Sequence, residues 1–114
     1  MNQRVLLVGD DEGVLESRAL LLKPLETVKS SSSEAPAILL SQSFVVVVIG
    51  QSVAGPSAEC IIAAAKNLEN APAVIAIRFP NEDLAVDVEV HETNSWQSPG
   101  WLKERIMDLL ADRA

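Results

Sequence analysis

A run of four valines between Phe44 and Ile49 constrains the fold of this chain more than any other segment. β-Branched residues favour extended backbone, and a short continuous apolar run of this kind predicts a strand that is buried on both faces. Strands buried on both faces are typical of parallel sheets that carry helices on either side. Gly50 ends the run and opens the loop "GQSVAG", so the tip of this strand has no side chain.

The remaining segments alternate between strand patterns and helix patterns. Apolar residues at helical spacing follow each strand, and parallel strands need such crossover connections. Residues 1–114 are therefore predicted to form one α/β domain with a five-stranded parallel sheet. We expect the first helix to end before Pro24, Ser57 to cap the middle helix, and Ser98 with Pro99 to start the last helix. The other predicted strands are "RVLLV", "ETVKS", "PAVIAIRF" and the alternating "LAVDVEVHET".

Composition excludes several functional classes. The formal net charge of −7 argues against binding to a phosphate backbone, so we expect no nucleic-acid partner. No apolar run approaches the roughly 18–20 residues that span a bilayer, and the start turns acidic too soon for a signal peptide. A cytoplasmic location away from the membrane is therefore expected. The single cysteine, Cys60, cannot form a disulfide within the chain and is interpreted as a small core residue.

Taken along the whole chain, these segments resemble the receiver domain of two-component response regulators. "RVLLVGDDEGVLES" resembles the opening strand of that family with its acidic turn, and "SFVVVVIGQSVAG" resembles the strand and loop that carry the phosphate acceptor. "APAVIAIRF" and "SPGWLKERIMDLL" are similar to the fourth strand and the last helix. The resemblance implies a doubly wound, flavodoxin-like sheet of order 2-1-3-4-5, with the site at the carboxyl ends of the strands. The segment from Arg78 to Ser95 is several residues short for the family, so the fourth helix is expected to be shortened or missing.

The functional residues of the family carry over poorly. Receiver domains hold Mg²⁺ with two acids after the first strand and accept phosphate on an aspartate at the end of the third. They also use a hydroxyl residue after the fourth strand and a lysine after the fifth. The matching positions form a degenerate phosphorylation pocket of Gly9, Asp10, Asp11, Gly50, Arg78 and Ser95. The acid pair falls on Gly9 and Asp10, or on Asp10 and Asp11 after a one-residue slip. A glycine supplies neither a nucleophile nor a metal ligand. We therefore expect no catalytic residue, no metal, no cofactor and no enzymatic activity.

Two further interpretations concern the charged residues of this pocket. Acids between a strand and a helix are favourable at the helix N-terminus, so we expect Asp10 and Asp11 to act as helix partners rather than as metal ligands. Arg78 could receive a phosphate, but we expect it to reach across Gly50 and pair with Asp10 or Asp11, because buried charges are normally paired.

The resemblance therefore implies a pseudo-receiver that signals without phosphorylation, by binding a protein partner or by dimerising. Receiver domains use their fourth helix, fifth strand and fifth helix as an output and pairing surface. The candidate interface residues are Trp96, Trp101 and Arg105, because interfaces are enriched in tryptophan and arginine. The alternative is a domain that binds a small anionic ligand at the open carboxyl edge of the sheet.

Overall fold

Strands and helices alternate in the computed structural model, which describes residues 4–50, 52–53, 55–78, 88–91 and 101–113. The strands are β1 (Val5–Val8), β2 (Thr27–Ser30), β3 (Val46–Ile49), β4 (Ala73–Arg78) and β5 (Val88–His91). The helices are α1 (Glu12–Leu21), α2 (Ala35–Ser41), α3 (Gly55–Lys66) and α4 (Trp101–Arg113). As expected, α1 ends before Pro24.

The strands pair in parallel, and the first four follow the predicted order 2-1-3-4. Val8 lies opposite Ser30 of β2 and opposite Ile49 of β3, so the strands of this central region end level with one another. β5 pairs with β4 on the other side, with Ile75 opposite Val88. Among the described strands, β2 pairs with β1 alone and forms an edge of the sheet, where Lys29 is exposed.

The valine run is buried as predicted, and its residues alternate between the two faces of the sheet. Val47 and Ile49 pack with Leu39 of α2 and Ile61 of α3. Val46 and Val48 pack on the opposite face, in a cluster that includes residues of α1 and α4. The inward residues of these two helices are Leu15 of α1 and Leu102, Ile106 and Leu109 of α4. On this face, α4 therefore covers the sheet through an apolar stripe, whereas α1 contributes Leu15 and the adjoining Leu22.

Two predictions about α3 are wrong. The helix begins at Gly55 rather than after Ser57, because Pro56 is suited to a first helical turn and marks the start more strongly than the serine. Cys60 is exposed and is not a core residue, because α3 turns a different face, including Ala58 and Ile61, toward the sheet.

Other predictions fall on residues that the structure does not describe. The shortened fourth helix concerns residues 79–87, and the start of the last helix at Ser98 and Pro99 also lies outside the described residues. Among the helices that the structure does describe, none is long and apolar enough to cross a membrane.

Candidate functional site

The carboxyl ends of β1 and β3 meet at two glycines. Gly9 and Gly50 each follow the last residue of their strands, and these last residues, Val8 and Ile49, are paired in register. The Gly50 N–H donates to the Val8 carbonyl at 2.8 Å, and the Gly9 N–H donates to the Ser30 carbonyl at 3.0 Å. Both glycines are buried. Position 50, where the resemblance implies a phosphate acceptor, therefore has backbone atoms but no side chain.

Asp10 connects the loops that follow β1, β2 and β3. Its carboxylate accepts two hydrogen bonds from Ser32, one from the backbone N–H at 3.0 Å and one from the hydroxyl at 2.9 Å. Its own backbone N–H donates to the Ser52 hydroxyl at 3.0 Å. Asp10 thus holds the loop before α2 against the tip of β1, a contact that the sequence did not reveal.

Asp11 is the N-cap residue of α1, as one of the two interpretations predicted. Its backbone is extended, with φ −121° and ψ 107°, and its Oδ1 accepts the N–H of Val14 at 3.3 Å. This contact satisfies one of the backbone donors that the first turn of a helix leaves without a partner. The capping interpretation is confirmed for Asp11 but is wrong for Asp10, because the Asp10 carboxylate accepts from Ser32 instead of capping α1.

Arg18 of α1 approaches Gly50 from the neighbouring helix. A Cβ atom built on Gly50 would lie only 2.7 Å from Nη1 of Arg18 and 3.3 Å from the Val8 carbonyl oxygen. Real Cβ atoms essentially never come as close to another atom as the first of these distances. The guanidinium therefore lies in the space that a side chain at position 50 would need.

The sequence did contain a signal for this arginine. Arg18 stands three residues after Leu15 and four before Leu22, and both leucines are buried under α1. Residues at these spacings share one helix face. A half-buried arginine on the inward face of a helix has to extend its charged group to the rim of the core, which here is the tip of β3.

The described residues do not fit the Mg²⁺ ion that the receiver resemblance implies. Mg²⁺ requires about six oxygen ligands in near-octahedral geometry. Both carboxylate oxygens of Asp10 accept hydrogen bonds from Ser32, Oδ1 of Asp11 caps α1, and Gly50 has no side chain. Within the described part of the chain, no group of three acids, histidines or cysteines is placed to hold a metal ion.

A cleft of about 260 Å³ opens beside this pocket, between α1 and the loop after β2. Its lining includes the carboxylates of Asp10, Glu12, Glu16 and Glu34, together with Lys29. The predominance of carboxylates over a single lysine makes this cleft unfavourable for an anion.

The remaining predicted residues are tested only in part. Arg78 is the last residue of β4, paired with His91, but its side chain is outside the description, so its pairing with Asp10 or Asp11 stays a prediction. Ser95 and Trp96 lie outside the described residues. Trp101 is the first residue of α4, described by its backbone alone, whereas Arg105 on the same helix is exposed.

No protein-family model and no curated protein matches the chain. Solved structures do match over nearly its whole length. A CheY-like response regulator receiver domain protein from Methanospirillum hungatei is 19% identical with a TM-score of 0.79, covering 99% of this chain and 97% of that one. The receiver domain of the Francisella response regulator 1452 is 16% identical with a TM-score of 0.77, covering 99% of this chain and 100% of that one.

A third match is a structure of the histidine kinase ThkA in complex with the response regulator protein TrrA. The matched chain of this structure is 20% identical with a TM-score of 0.70, and the match covers 95% of this chain and 98% of that one. At these identities the likeness concerns the fold, and it agrees with the order 2-1-3-4 of the first four strands. The chain has the α/β fold of the CheY-like receiver domains.

Proposed function

We propose that this chain is a pseudo-receiver, a signalling domain that acts through protein contacts without being phosphorylated itself. The observation that carries the proposal is the tip of β3, where Gly50 offers no carboxylate and the Arg18 guanidinium lies close by. Phosphoryl transfer to a protein needs a nucleophile and a way to spread the developing negative charge. Asp10 and Asp11 are not proposed as substitutes for the acceptor, because Asp10 accepts hydrogen bonds from Ser32 and Oδ1 of Asp11 caps α1.

Incubation with a small-molecule phosphodonor and Mg²⁺, followed by intact-mass measurement, tests the first half of the proposal. We expect the mass to stay unchanged, while a receiver domain that has an acceptor aspartate gains one phosphoryl group under the same conditions. A base-labile phosphoryl adduct on any aspartate of this chain would contradict the proposal.

The second half concerns the partner surface, which we place on α4 and β5. The matching solved structures include the response regulator protein TrrA in complex with the histidine kinase ThkA, and dimers of RcsB bound to DNA, so this fold supports protein contacts in other chains. On α4, Leu102 and Ile106 face the core, whereas Arg105 is exposed and Met107 keeps 48% of its surface exposed. Lys103 donates to the Lys23 carbonyl at 2.6 Å, which ties one flank of α4 to the end of α1. The flank that carries Trp101 and Arg105 is a different one and is proposed as the contact surface.

Analytical ultracentrifugation of the wild type and of Trp101→Ala and Arg105→Ala tests self-association through this surface. We expect the wild type to associate and both variants to dissociate. Leu40→Ala is the matched control, because Leu40 is 79% exposed on α2, whose core contacts lie on the opposite face of the sheet. A monomeric wild type at high concentration, or dissociation caused by Leu40→Ala alone, would contradict self-association through α4.

Binding of a small anion is the weaker proposal. The described cleft beside Gly9 has an acidic lining, and Arg18 fills the space over Gly50 that this alternative required to be open. A thermal-shift screen with phosphate and dicarboxylates should therefore give no stabilisation, because a ligand that binds the folded state raises its apparent stability.

A further inference from the structure

The two glycines at the strand tips leave a notch on one face of the sheet. Successive residues of a strand point to opposite faces, so position 50 belongs to the same face as Val46 and Val48, which pack against α1 and α4. Gly9 belongs to this face as well, and a Cβ atom there would lie 3.2 Å from Cδ2 of Leu15 in α1. Helix α1 therefore covers the notch.

Arg18 is the residue of α1 that lies over the Gly50 half of this notch. Its position between the buried Leu15 and Leu22 directs its stem along the sheet, and Nη1 occupies the space that a Cβ atom would need. A smaller or shorter side chain at position 18 would leave this space empty, and a side chain at position 50 would displace the guanidinium. The identities of residues 18 and 50 are thus physically coupled.

We propose that Arg18 is a built-in plug of this notch, a resident cation that fills the space beside Gly50 at the tip of β3. The proposal rests on the proposed function, since it explains how a pseudo-receiver keeps a single state, but it concerns a different measurable quantity. Phosphorylation independence follows from the missing carboxylate, whereas the plug follows from the contact between Arg18 and position 50. The proposal also makes a prediction for an aspartate introduced at position 50. Its carboxylate would lie at ion-pairing distance from the Arg18 guanidinium instead of binding a metal ion.

A double-mutant cycle measures this coupling. Gly50→Asp and Gly50→Asn introduce side chains of nearly equal shape but different charge, so both suffer the same crowding from the Val8 carbonyl oxygen at 3.3 Å. Beside Arg18, the aspartate gains a charge-assisted contact that the asparagine lacks. We expect the thermal midpoint of Gly50→Asp to exceed that of Gly50→Asn by about 4 °C, a shift that corresponds to about 1 kcal/mol in a domain of this size.

In an Arg18→Met background the advantage of Gly50→Asp over Gly50→Asn should be lost, because methionine keeps much of the stem but not the charge. In an Arg18→Lys background part of the difference should remain. A difference between the two variants that is the same with Arg18 and with methionine at position 18 would overturn the proposal.

A second measurement covers the case in which the position-50 variants do not fold. Arg18→Met in the otherwise unchanged chain should shift the backbone amide resonance of Gly50 in ¹⁵N-resolved NMR spectra, because the guanidinium lies beside that residue. Arg105→Met is the matched control, since Arg105 is exposed on α4, and it should leave the Gly50 resonance in place. A Gly50 resonance unmoved by Arg18→Met would equally overturn the plug.

The phosphodonor experiment separates this proposal from the proposed function. If the chain stays unphosphorylated and residues 18 and 50 show no coupling, the plug proposal is refuted and the pseudo-receiver proposal is retained. If the two residues show the coupling but the chain becomes phosphorylated on an aspartate, the plug proposal is supported and the pseudo-receiver proposal is refuted.

Discussion

Replacing Asp10 with alanine distinguishes a structural acid from a metal-binding acid by the sign of its effect. Acids gathered to bind a cation repel one another, so neutralising one of them stabilises the protein in metal-free buffer. In this structure, however, Asp10 accepts the backbone N–H and the hydroxyl of Ser32. Hydrogen bonds to charged groups contribute roughly 1.5–3 kcal/mol each, and the solvent exposure of Asp10 reduces this to a total of about 1–2 kcal/mol.

We therefore expect Asp10→Ala to lower the free energy of unfolding by about 1–2 kcal/mol, measured by urea denaturation followed by circular dichroism. The loss should be the same with Mg²⁺ and with a chelator. Ser32→Ala removes only the hydroxyl contact, so it should cost about half as much in the wild type and little in the Asp10→Ala background. If Asp10→Ala raises the stability without metal, or if its cost appears only with Mg²⁺, the structural role assigned to Asp10 is refuted.

Three further pairs of substitutions test the packing and the helix cap. Gly9→Ala should destabilise the fold by about 1 kcal/mol or more because its Cβ atom crowds α1, whereas Gly55→Ala, which has no atom within 4 Å of its Cβ, should be neutral or slightly stabilising in the same denaturation assay. Ile106→Ala should cost about 2–5 kcal/mol because the side chain is fully buried, whereas the half-exposed Met107→Ala should stay within about 0.5–1 kcal/mol. Asp11→Ala should cost about 0.5–2 kcal/mol through loss of the α1 cap, and Asp11→Ser should restore most of it.

The strand pattern could be predicted because it depends on local sequence. The valines before Gly50 are β-branched and continuous, and the structure buries Val46 to Ile49 on both faces of the sheet. The cap at Asp11 was predictable for the same reason, since an acid just before a helical pattern satisfies a backbone donor within the same turn. Both conclusions needed only residues within a few positions of each other.

The contacts of the site could not be predicted because they join distant parts of the chain. Asp10 meets Ser32 only after β2 has paired beside β1, and Arg18 meets Gly50 only once α1 has taken its place against β1 and β3. Sequence reasoning predicted Arg78, at the end of the fourth strand, as the cation of the pocket, and it overlooked Arg18 on the buried face of α1. Cys60 was misplaced for a related reason, since most residues near it on α3 are small or apolar and the orientation of the helix was ambiguous.

The four-residue strand β2 has a consequence for the behaviour of this protein at high concentration. Its outer edge presents backbone donors and acceptors on which the strand of another molecule can add, which is the first step of edge-to-edge aggregation. The strand is short, and its Lys29 is exposed. If two β2 edges paired in a symmetric antiparallel arrangement, the two Lys29 side chains would lie close to each other. The exposed charge of Lys29 therefore disfavours pairing between the β2 edges of two molecules.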